Sequence, residues 1–240
     1  MHLILTHEQA DFDAVASLLA ARLLDPEALA VLPRRINRNV RAFLTLYGDG
    51  LPFIEFDDLP RRRINRLTLV DTQSPVSVKG YRRRTQVHVI DHHPFDQGFD
   101  PSWTSHIEEV GATTTLLVET LEEAGIELDL VAATMLLLGI YEDTGSLSYP
   151  GTTPRDIRAC ARLLDCGASL AITADFLNQP LSSEQRQLYN RLLEAVEIYE
   201  FKGLSVVVAC GSIEDMVDEI STLAHKLRDL FDPDGLFVLV

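Results

Sequence analysis

Three ionisable residues, Asp91, His92 and His93, stand in consecutive positions directly after the largely apolar run 87–90. Such a short run is typical of a buried strand, so the triplet is expected where that strand ends. Burying an acid beside two imidazoles costs free energy unless an opposite charge replaces their hydration, and a metal ion is the usual compensating group. The triplet therefore predicts a metal site at the end of this strand.

Two further residues stand after apolar runs in the same way. His7 follows the run 3–6, and Asp71 follows the run 67–70. In an open parallel sheet, ligands bind beyond the carboxyl ends of the strands. Three separate strands would then bring an acid or an imidazole to one edge of the sheet, and this convergence indicates a site more strongly than any single motif does.

Three more acids are candidates for the same site. Asp11 and Asp13 lie on the loop that opens the first helix, where a helix cap and a first-turn acid are the structural alternative. Asp143 ends an apolar helix, and a carboxylate at a helix C-terminus opposes the helix dipole and needs a partner. A structural turn remains open for Asp143, but a cation accounts for it better.

The elements that must position these residues follow an alternating pattern over the first 95 residues, which predicts a doubly wound, mainly parallel α/β sheet. The expected strands lie at 3–6, 28–32, 53–56, 67–70 and 87–90. After residue 110 the apolar spacing becomes helical, and the expected helices lie at 113–123, 128–142, 154–164 and 169–177. The second half of this region is therefore expected to be helical.

A break at 180–184 interrupts the pattern and then caps a helix that is expected to run to about Ile198. The pattern then restarts as strand, helix and strand, at 204–209, 213–230 and 236–240. We expect a first domain over 1–180, a connector helix over 181–199 and the opening of a second α/β domain over 200–240. The last strand has no turn or polar tail after it, which favours a truncated chain over a complete one.

The composition limits the classes of function. A net charge of −15 over 240 residues argues against a surface that grips long nucleic acid. Arginines cluster at 34–41, 61–63 and 82–84, where phosphate binding and solvated turns both remain open. The longest apolar stretch, 131–141, is too short for a bilayer span of roughly 20 residues, and three cysteines show no pairing motif. We expect a soluble, cytoplasmic protein with no membrane partner.

Four motifs in order resemble those of the DHH phosphoesterase superfamily. They are His7-x-x-x-Asp11-x-Asp13-Ala14, Val70-Asp71-Thr72, Asp91-His92-His93-Pro94 and Asp143-Thr144-Gly145. The resemblance covers about 1–180. The segment from about 200 is similar to the opening of the DHHA1 domain, although the Gly-Gly-Gly-His motif of that domain is absent from this sequence.

The first motif departs from the usual Pro-Asp-Gly-Asp, since Ala10-Asp11-Phe12-Asp13 stands in its place. This variant is similar to DHH domains that are fused to CBS domains and to tRNA nucleotidyltransferase or poly(A) polymerase-like domains. The resemblance therefore implies the N-terminal part of a longer protein.

Residue by residue, the resemblance implies a site for two divalent metal ions. One ion would be held by His7, Asp11 and Asp71, and the other by Asp13, Asp71, His92 and Asp143. Carboxylate and imidazole ligands without sulfur favour Mn²⁺ or Mg²⁺ over structural zinc, with Mn²⁺ preferred here. The catalytic candidates are His93, as an acid or hydrogen-bond donor toward substrate, and Asp91, which would orient the site.

The expected function is the metal-dependent hydrolysis of P–O bonds in a small phosphorylated substrate or short oligonucleotide. Substrates that fit the resemblance are short oligonucleotides, nucleoside bisphosphates such as pAp, and the products of cyclic dinucleotides. A pyrophosphatase or polyphosphatase is one alternative, and a nucleotide- or RNA-binding module of a nucleotidyltransferase fusion is another. The segment 111–115 opens a helix and could offer backbone N–H groups to a phosphate, although an ordinary helix cap explains it equally well. The oligomeric state stays open, with a dimer as one option.

Overall fold

The computed structural model describes residues 1–74, 78–95, 99–177, 180–213, 217 and 220–240. The described chain divides into two compact units, 1–178 and 179–240, and each is described by itself. No helix in the described ranges is long and apolar enough to cross a bilayer.

The first unit is built on a six-stranded parallel sheet in the order β3-β2-β1-β4-β5-β6. The strands are β1 (His2–Leu5), β2 (Leu29–Leu32), β3 (Phe53–Glu55), β4 (Arg66–Val70), β5 (Gln86–Asp91) and β6 (Thr104–Ile107). The winding of the chain reverses between β1 and β4, which is where open parallel sheets form their binding crevice. The expected doubly wound sheet is confirmed. Strand β6 was not predicted, because its residues Thr-Ser-His-Ile form no apolar run.

Helices cover one face of this sheet and surround the larger core. They are α1 (Phe12–Leu24), α2 (Arg38–Tyr47), α3 (Thr113–Glu123), α4 (Leu130–Asp143), α5 (Pro154–Asp165) and α6 (Leu170–Leu177). Helix α2 was not predicted, whereas α3, α4, α5 and α6 lie within two residues of their expected bounds. The opposite face is covered by a second core, to which the connecting segments contribute Leu59, Ile64, Tyr81, Phe99 and Trp103.

The central helices α1 and α4 pack closely because a glycine lies between them. A Cβ on Gly139 would lie 2.8 Å from the Cβ of Ala16 and 2.7 Å from Oγ1 of Thr114. Real side chains do not approach that closely, so only glycine lets α4 lie this near to α1 and to the start of α3. This packing brings the ends of the three helices to one edge of the sheet.

The second unit contains α7 (Ser183–Glu194), β7 (Val196–Phe201), β8 (Leu204–Cys210), α8 (Ile220–Phe231) and β9 (Gly235–Leu239). Its sheet has the order β7-β8-β9, with β7 antiparallel and β9 parallel to β8. The expectation of one helix over 181–199 was wrong at its C-terminal end. Val196 begins an alternating run that pairs with β8 through a tight turn at Lys202 and Gly203, both with positive φ, and this pairing overrides the helical pattern. Of the expected helix 213–230, residues 214–216 and 218–219 lie outside the described ranges.

Candidate metal centre

The carboxyl ends of three central strands and the ends of two helices meet at one edge of the sheet. The structure brings together all six residues predicted as metal ligands. Donor atoms of His7, Asp11 and Asp71 lie within 4.8 Å of one another, and so do those of Asp13, His92 and Asp143. The two groups correspond to the two expected ligand sets, with Asp71 as the residue that faces both.

Asp71 lies between the two histidines. Its Oδ2 atom is 3.3 Å from Nε2 of His7, and its Oδ1 atom is 3.8 Å from Nε2 of His92. The residue follows β4 in the left-handed conformation, with φ of 54°, a region that aspartate tolerates better than most residues. Its backbone N–H is held by the carbonyl of Ile90 at 3.0 Å. One carboxylate thus presents an oxygen to each group, as a bridging ligand would.

Both histidines are anchored through Nδ1, which leaves Nε2 toward the acids. Nδ1 of His7 lies 2.8 Å from the carbonyl oxygen of Glu8, and Nδ1 of His92 lies 3.0 Å from that of Val110. A carbonyl accepts only, so each Nδ1 donates and a neutral ring carries its lone pair on Nε2. Nε2 of His92 is buried and has no hydrogen-bond partner among the described residues. A buried imidazole nitrogen among carboxylates fits a divalent cation, which would replace the proton that these acids otherwise hold on the ring, and metal-binding histidines are usually held in this way.

The acids of the cluster repel one another at short range. Burial, followed by the charges of Asp71 and Asp143, raises the pKa of Asp11 to about 6. The same causes in the same order raise the pKa of the fully buried Asp13 well above its usual value. The folded protein therefore retains protons here that a divalent cation would displace.

The same negative charges favour the protonated, charged form of the histidines. The contact with Asp71 raises the pKa of His7 to about 9 against the effect of burial. Burial lowers the pKa of His92, but Asp143 at 3.3 Å and Asp13 outweigh it and raise this pKa to about 10. Both rings are thus compensated by neighbouring acids.

The two catalytic candidates form a pair beside this cluster. Oδ1 of Asp91 accepts from Nδ1 of His93 at 2.8 Å, and from the backbone N–H of His92 at 2.9 Å. Oδ2 of Asp91 accepts from Nε2 of Gln73 at 2.8 Å. Burial raises the pKa of Asp91, but the bonds from His93 and Gln73 outweigh it and lower this pKa. The side chain of His93 is 56% exposed, so Asp91 holds it at a position open to solvent.

The helix start at 111–115 was predicted as a possible phosphate site, and the structure assigns its N–H groups elsewhere. The backbone N–H groups of Thr113 and Thr114 donate to the two oxygens of Asp13 at 2.8 and 2.9 Å. The hydroxyl of Thr113 donates to Oδ1 of Asp71 at 3.0 Å. The N-terminus of α3 therefore orients two ligand candidates and is not available to bind a phosphate.

The buried acid Asp156 holds this loop from behind, and it was not predicted as a site residue. Its carboxylate accepts from the N–H of Gly111 at 3.0 Å and from the hydroxyl of Thr115 at 2.6 Å. It also closes the capping box of α5 by accepting from the N–H of Thr153 at 2.7 Å. The spacing Thr153-x-x-Asp156 could have indicated the cap. No sequence pattern predicts its hydrogen bond with Gly111. Gln73 was missed as well, since only its place two residues after Asp71 distinguishes it.

Comparison with known proteins agrees with this geometry. The family model described as "DHH family, N-terminal domain" matches residues 2–140. The chain belongs to the DHH family. An A-adding tRNA nucleotidyltransferase of Geobacter sulfurreducens is 39% identical over this whole chain, which covers 28% of that protein.

Two further comparisons cover larger shares of the matched proteins. The bifunctional oligoribonuclease and PAP phosphatase of Thermus thermophilus is 31% identical, over 92% of this chain and 68% of its own length. The crystal structure of an exopolyphosphatase-related protein from Bacteroides fragilis shares the fold, with a TM-score of 0.66 at 15% identity. That match covers 87% of this chain and 65% of the other.

Proposed function

We propose that this chain is a metal-dependent phosphoesterase that hydrolyses P–O bonds of small phosphorylated substrates. The observation that carries the proposal is the buried Nε2 of His92, which lacks a hydrogen-bond partner among the described residues and lies among the acids of the cluster. Membership of the DHH family supports the same reaction class.

The proposed site takes two divalent ions, Mn²⁺ in preference to Mg²⁺. His7, Asp11 and Asp71 would hold one, and Asp13, Asp71, His92 and Asp143 the other. Bound ions would supply the acidification of an attacking water and the neutralisation of charge on the phosphoryl group. Oxygen and imidazole donors without thiolate are the ligands that suit these metals.

The chain's own residues would contribute orientation and proton transfer. Asp91 fixes the ring of His93 through Nδ1, so that ring can donate a hydrogen bond to a phosphoryl oxygen or a proton to a leaving group. The contact with Asp91 raises the pKa of His93, which favours the protonated form that this role requires. Gln73 secures Asp91 from its other oxygen and keeps the pair in place.

The proposed substrates are short oligonucleotides, nucleoside bisphosphates such as pAp, and linear dinucleotides. An acidic chain suits a short substrate, because few cations are available to follow a long phosphate backbone. The Thermus thermophilus relative, an oligoribonuclease and PAP phosphatase, supports this class. Three free cysteines fit the reducing cytoplasm, which is the compartment we propose.

The test is a substrate panel with Mn²⁺: di- to pentaribonucleotides, pAp, a linear dinucleotide and pyrophosphate. We expect Mn²⁺-dependent release from the nucleotide substrates, loss of release in Asp71→Ala, and full release in Asp165→Ala, an exposed acid at the end of α5. Faster release from pyrophosphate than from any nucleotide would favour the pyrophosphatase alternative. No release from any substrate, by this chain or by a longer polypeptide, would refute the proposal.

A second candidate is a nucleotide- or RNA-binding module within a larger nucleotidyltransferase. It is favoured by the Geobacter sulfurreducens relative, of whose length this chain spans 28%. A binding module would retain RNA or nucleotide with unchanged affinity when Asp71 is replaced, and it would release no product in the Mn²⁺ assay. Turnover that depends on Asp71 would exclude a module that only binds.

A further inference from the structure

We propose that Arg34 and Arg35 bind a second phosphate group of the substrate beside the metal centre, and that Glu8 accepts a hydrogen bond from the ribose of the same substrate. This inference rests on the proposed function and deepens it. It assigns the substrate class as a nucleotide that carries a phosphate besides the one that reacts, in preference to an inorganic phosphate chain.

The placement of the two arginines follows from the order of the strands. They come directly after β2, which lies next to β1, so they reach the same edge of the sheet as His7. The backbone of this segment is bonded to the loop between the ligand candidates. The N–H of Ala10 donates to the carbonyl of Arg35 at 3.2 Å, and the N–H of Asn37 donates to that of Ala10 at 2.9 Å. The arginines are therefore held beside the loop that carries His7 and Asp11.

A cavity of about 450 Å³ lies here, lined by Glu8, Gln9, Arg34 and Arg35. Its volume falls within the range of roughly 300–1,000 Å³ that is usual for small-molecule sites. Gln9, next to Glu8, adopts a left-handed conformation with φ of 61°, and strained backbone of this kind concentrates at functional sites. The cavity thus has the size and position to hold the part of a nucleotide that extends beyond the reacting phosphate.

Arg34 is held in place before any ligand binds. Its guanidinium carbon lies 4.2 Å from the centre of the Phe56 ring, and its Nη2 atom lies 2.9 Å from Oδ1 of Asp57. The side chain is still 58% exposed. A guanidinium offers five N–H donors, so the bond to Asp57 leaves most of them for an anion. Less side-chain entropy is lost on binding when a donor is already positioned.

Arg35 supplies a guanidinium that is unpaired within the described part of the chain. Its backbone is fixed, because its N–H donates to Oε2 of Glu8 at 3.3 Å and its carbonyl accepts from Ala10. Among the lining residues that the structure describes, two positive charges stand against one negative charge. A site with both arginine donors and a carboxylate acceptor matches a ligand that has phosphate and hydroxyl groups. A polyphosphate has no sugar hydroxyl to offer the carboxylate.

The test compares pAp, which has two phosphates, with p-nitrophenyl phosphate, which has one. In the double variant Arg34→Ala/Arg35→Ala, we expect the ratio of kcat/KM for pAp to that for p-nitrophenyl phosphate to fall by roughly 10–100-fold, the loss expected for charged hydrogen bonds. The matched control is Arg84→Ala, an exposed arginine just before β5 at the other end of the strands, which should leave the ratio unchanged. An unchanged ratio in the double variant would overturn the inference.

A binding experiment separates this inference from the proposed function. Calorimetric titration of metal-free protein with pAp should show weaker binding in the double variant than in wild type and Arg84→Ala, whether or not any substrate is turned over. Equal binding by all three proteins would refute the arginine site, whereas absent turnover with a clear arginine effect would refute only the phosphoesterase. For Glu8→Gln, we expect a smaller preference for pAp over its 2′-deoxy counterpart; an unchanged preference would refute the ribose contact.

Discussion

The carboxylate of Asp156 offers a sharp test of how the metal centre is supported, because it is completely buried and touches no predicted ligand. It accepts from Gly111, Thr115 and Thr153, which together provide two backbone N–H groups and two hydroxyls. The loop held in this way presents the carbonyl of Val110 to His92. Replacing Asp156 with alanine should therefore affect both folding and the metal site.

The expected loss in the free energy of unfolding follows from the hydrogen-bond donors that lose their acceptor. Each buried donor left unsatisfied costs about 1–3 kcal/mol, and loss of a helix cap costs about 1 kcal/mol. Gly111 and Thr115 are bonded to Asp156 within the buried interior, whereas the site at Thr153 is partly open to water. We expect Asp156→Ala to lower the free energy of unfolding by about 3–5 kcal/mol, which a domain stable by about 5–15 kcal/mol can survive.

The assay is urea unfolding combined with calorimetric titration of Mn²⁺. Because the loop fixes the ring of His92 and the oxygens of Asp13, we expect Mn²⁺ affinity to fall about 10–100-fold, as for other partners of metal ligands. Asp165→Ala, on the same helix but exposed, is the control and should change neither quantity. A loss of stability below about 1 kcal/mol in Asp156→Ala would refute the reasoning, and so would wild-type Mn²⁺ affinity in a folded variant.

Three further predictions concern the cluster and its packing. The pKa of Asp11 is raised to about 6, so the neutral form of this acid stabilises the fold. That stability is complete below the unfolded pKa near 3.8 and is lost as pH rises through about 6. Mn²⁺ should therefore raise Tm more at about pH 7.5 than at about pH 5, and an equal rise would contradict this. His93→Gln should lower kcat while calorimetry shows unchanged Mn²⁺ affinity, and weaker Mn²⁺ binding would instead make His93 a ligand. Gly139→Ala should lower the free energy of unfolding by about 1–3 kcal/mol in urea. The control is Gly151→Ala, where an added Cβ would meet nothing within 4 Å; no loss in Gly139→Ala would mean that α1 and α4 can separate freely.

The sequence predicted the site candidates because their geometry follows from chain order. A residue directly after a buried parallel strand must lie at the carboxyl edge of the sheet, so His7, Asp71 and Asp91 were placed by local pattern alone. Asp11 and Asp143 were found at helix ends for the same reason. Residues of this kind need no knowledge of how distant segments pack.

The supporting residues could not be predicted, because their partners are distant in sequence. Asp156 accepts a hydrogen bond from Gly111, 45 positions away in the sequence. The capping box of α5 already explains an acid at this position, so the sequence gives no reason to expect the distant contact. Strand β7 was assigned to a helix, because its alternating residues gain a partner only when β8 folds against them. For Asp156 the deciding contact is distant in sequence, whereas for β7 it is the adjacent strand of a hairpin, which the local helical pattern concealed.

The use of the α3 N-terminus bears directly on how substrate must be held. Its first N–H groups, at Thr113 and Thr114, are taken by the two oxygens of Asp13, so the positive end of the helix dipole stabilises a ligand candidate. A phosphate of the substrate therefore needs donors from elsewhere at this edge of the sheet. We propose that the segment after β2 supplies them, since Arg34 is already oriented by Phe56 and Asp57. If the arginines did not bind phosphate, the proposed preference for nucleotides would need other donors.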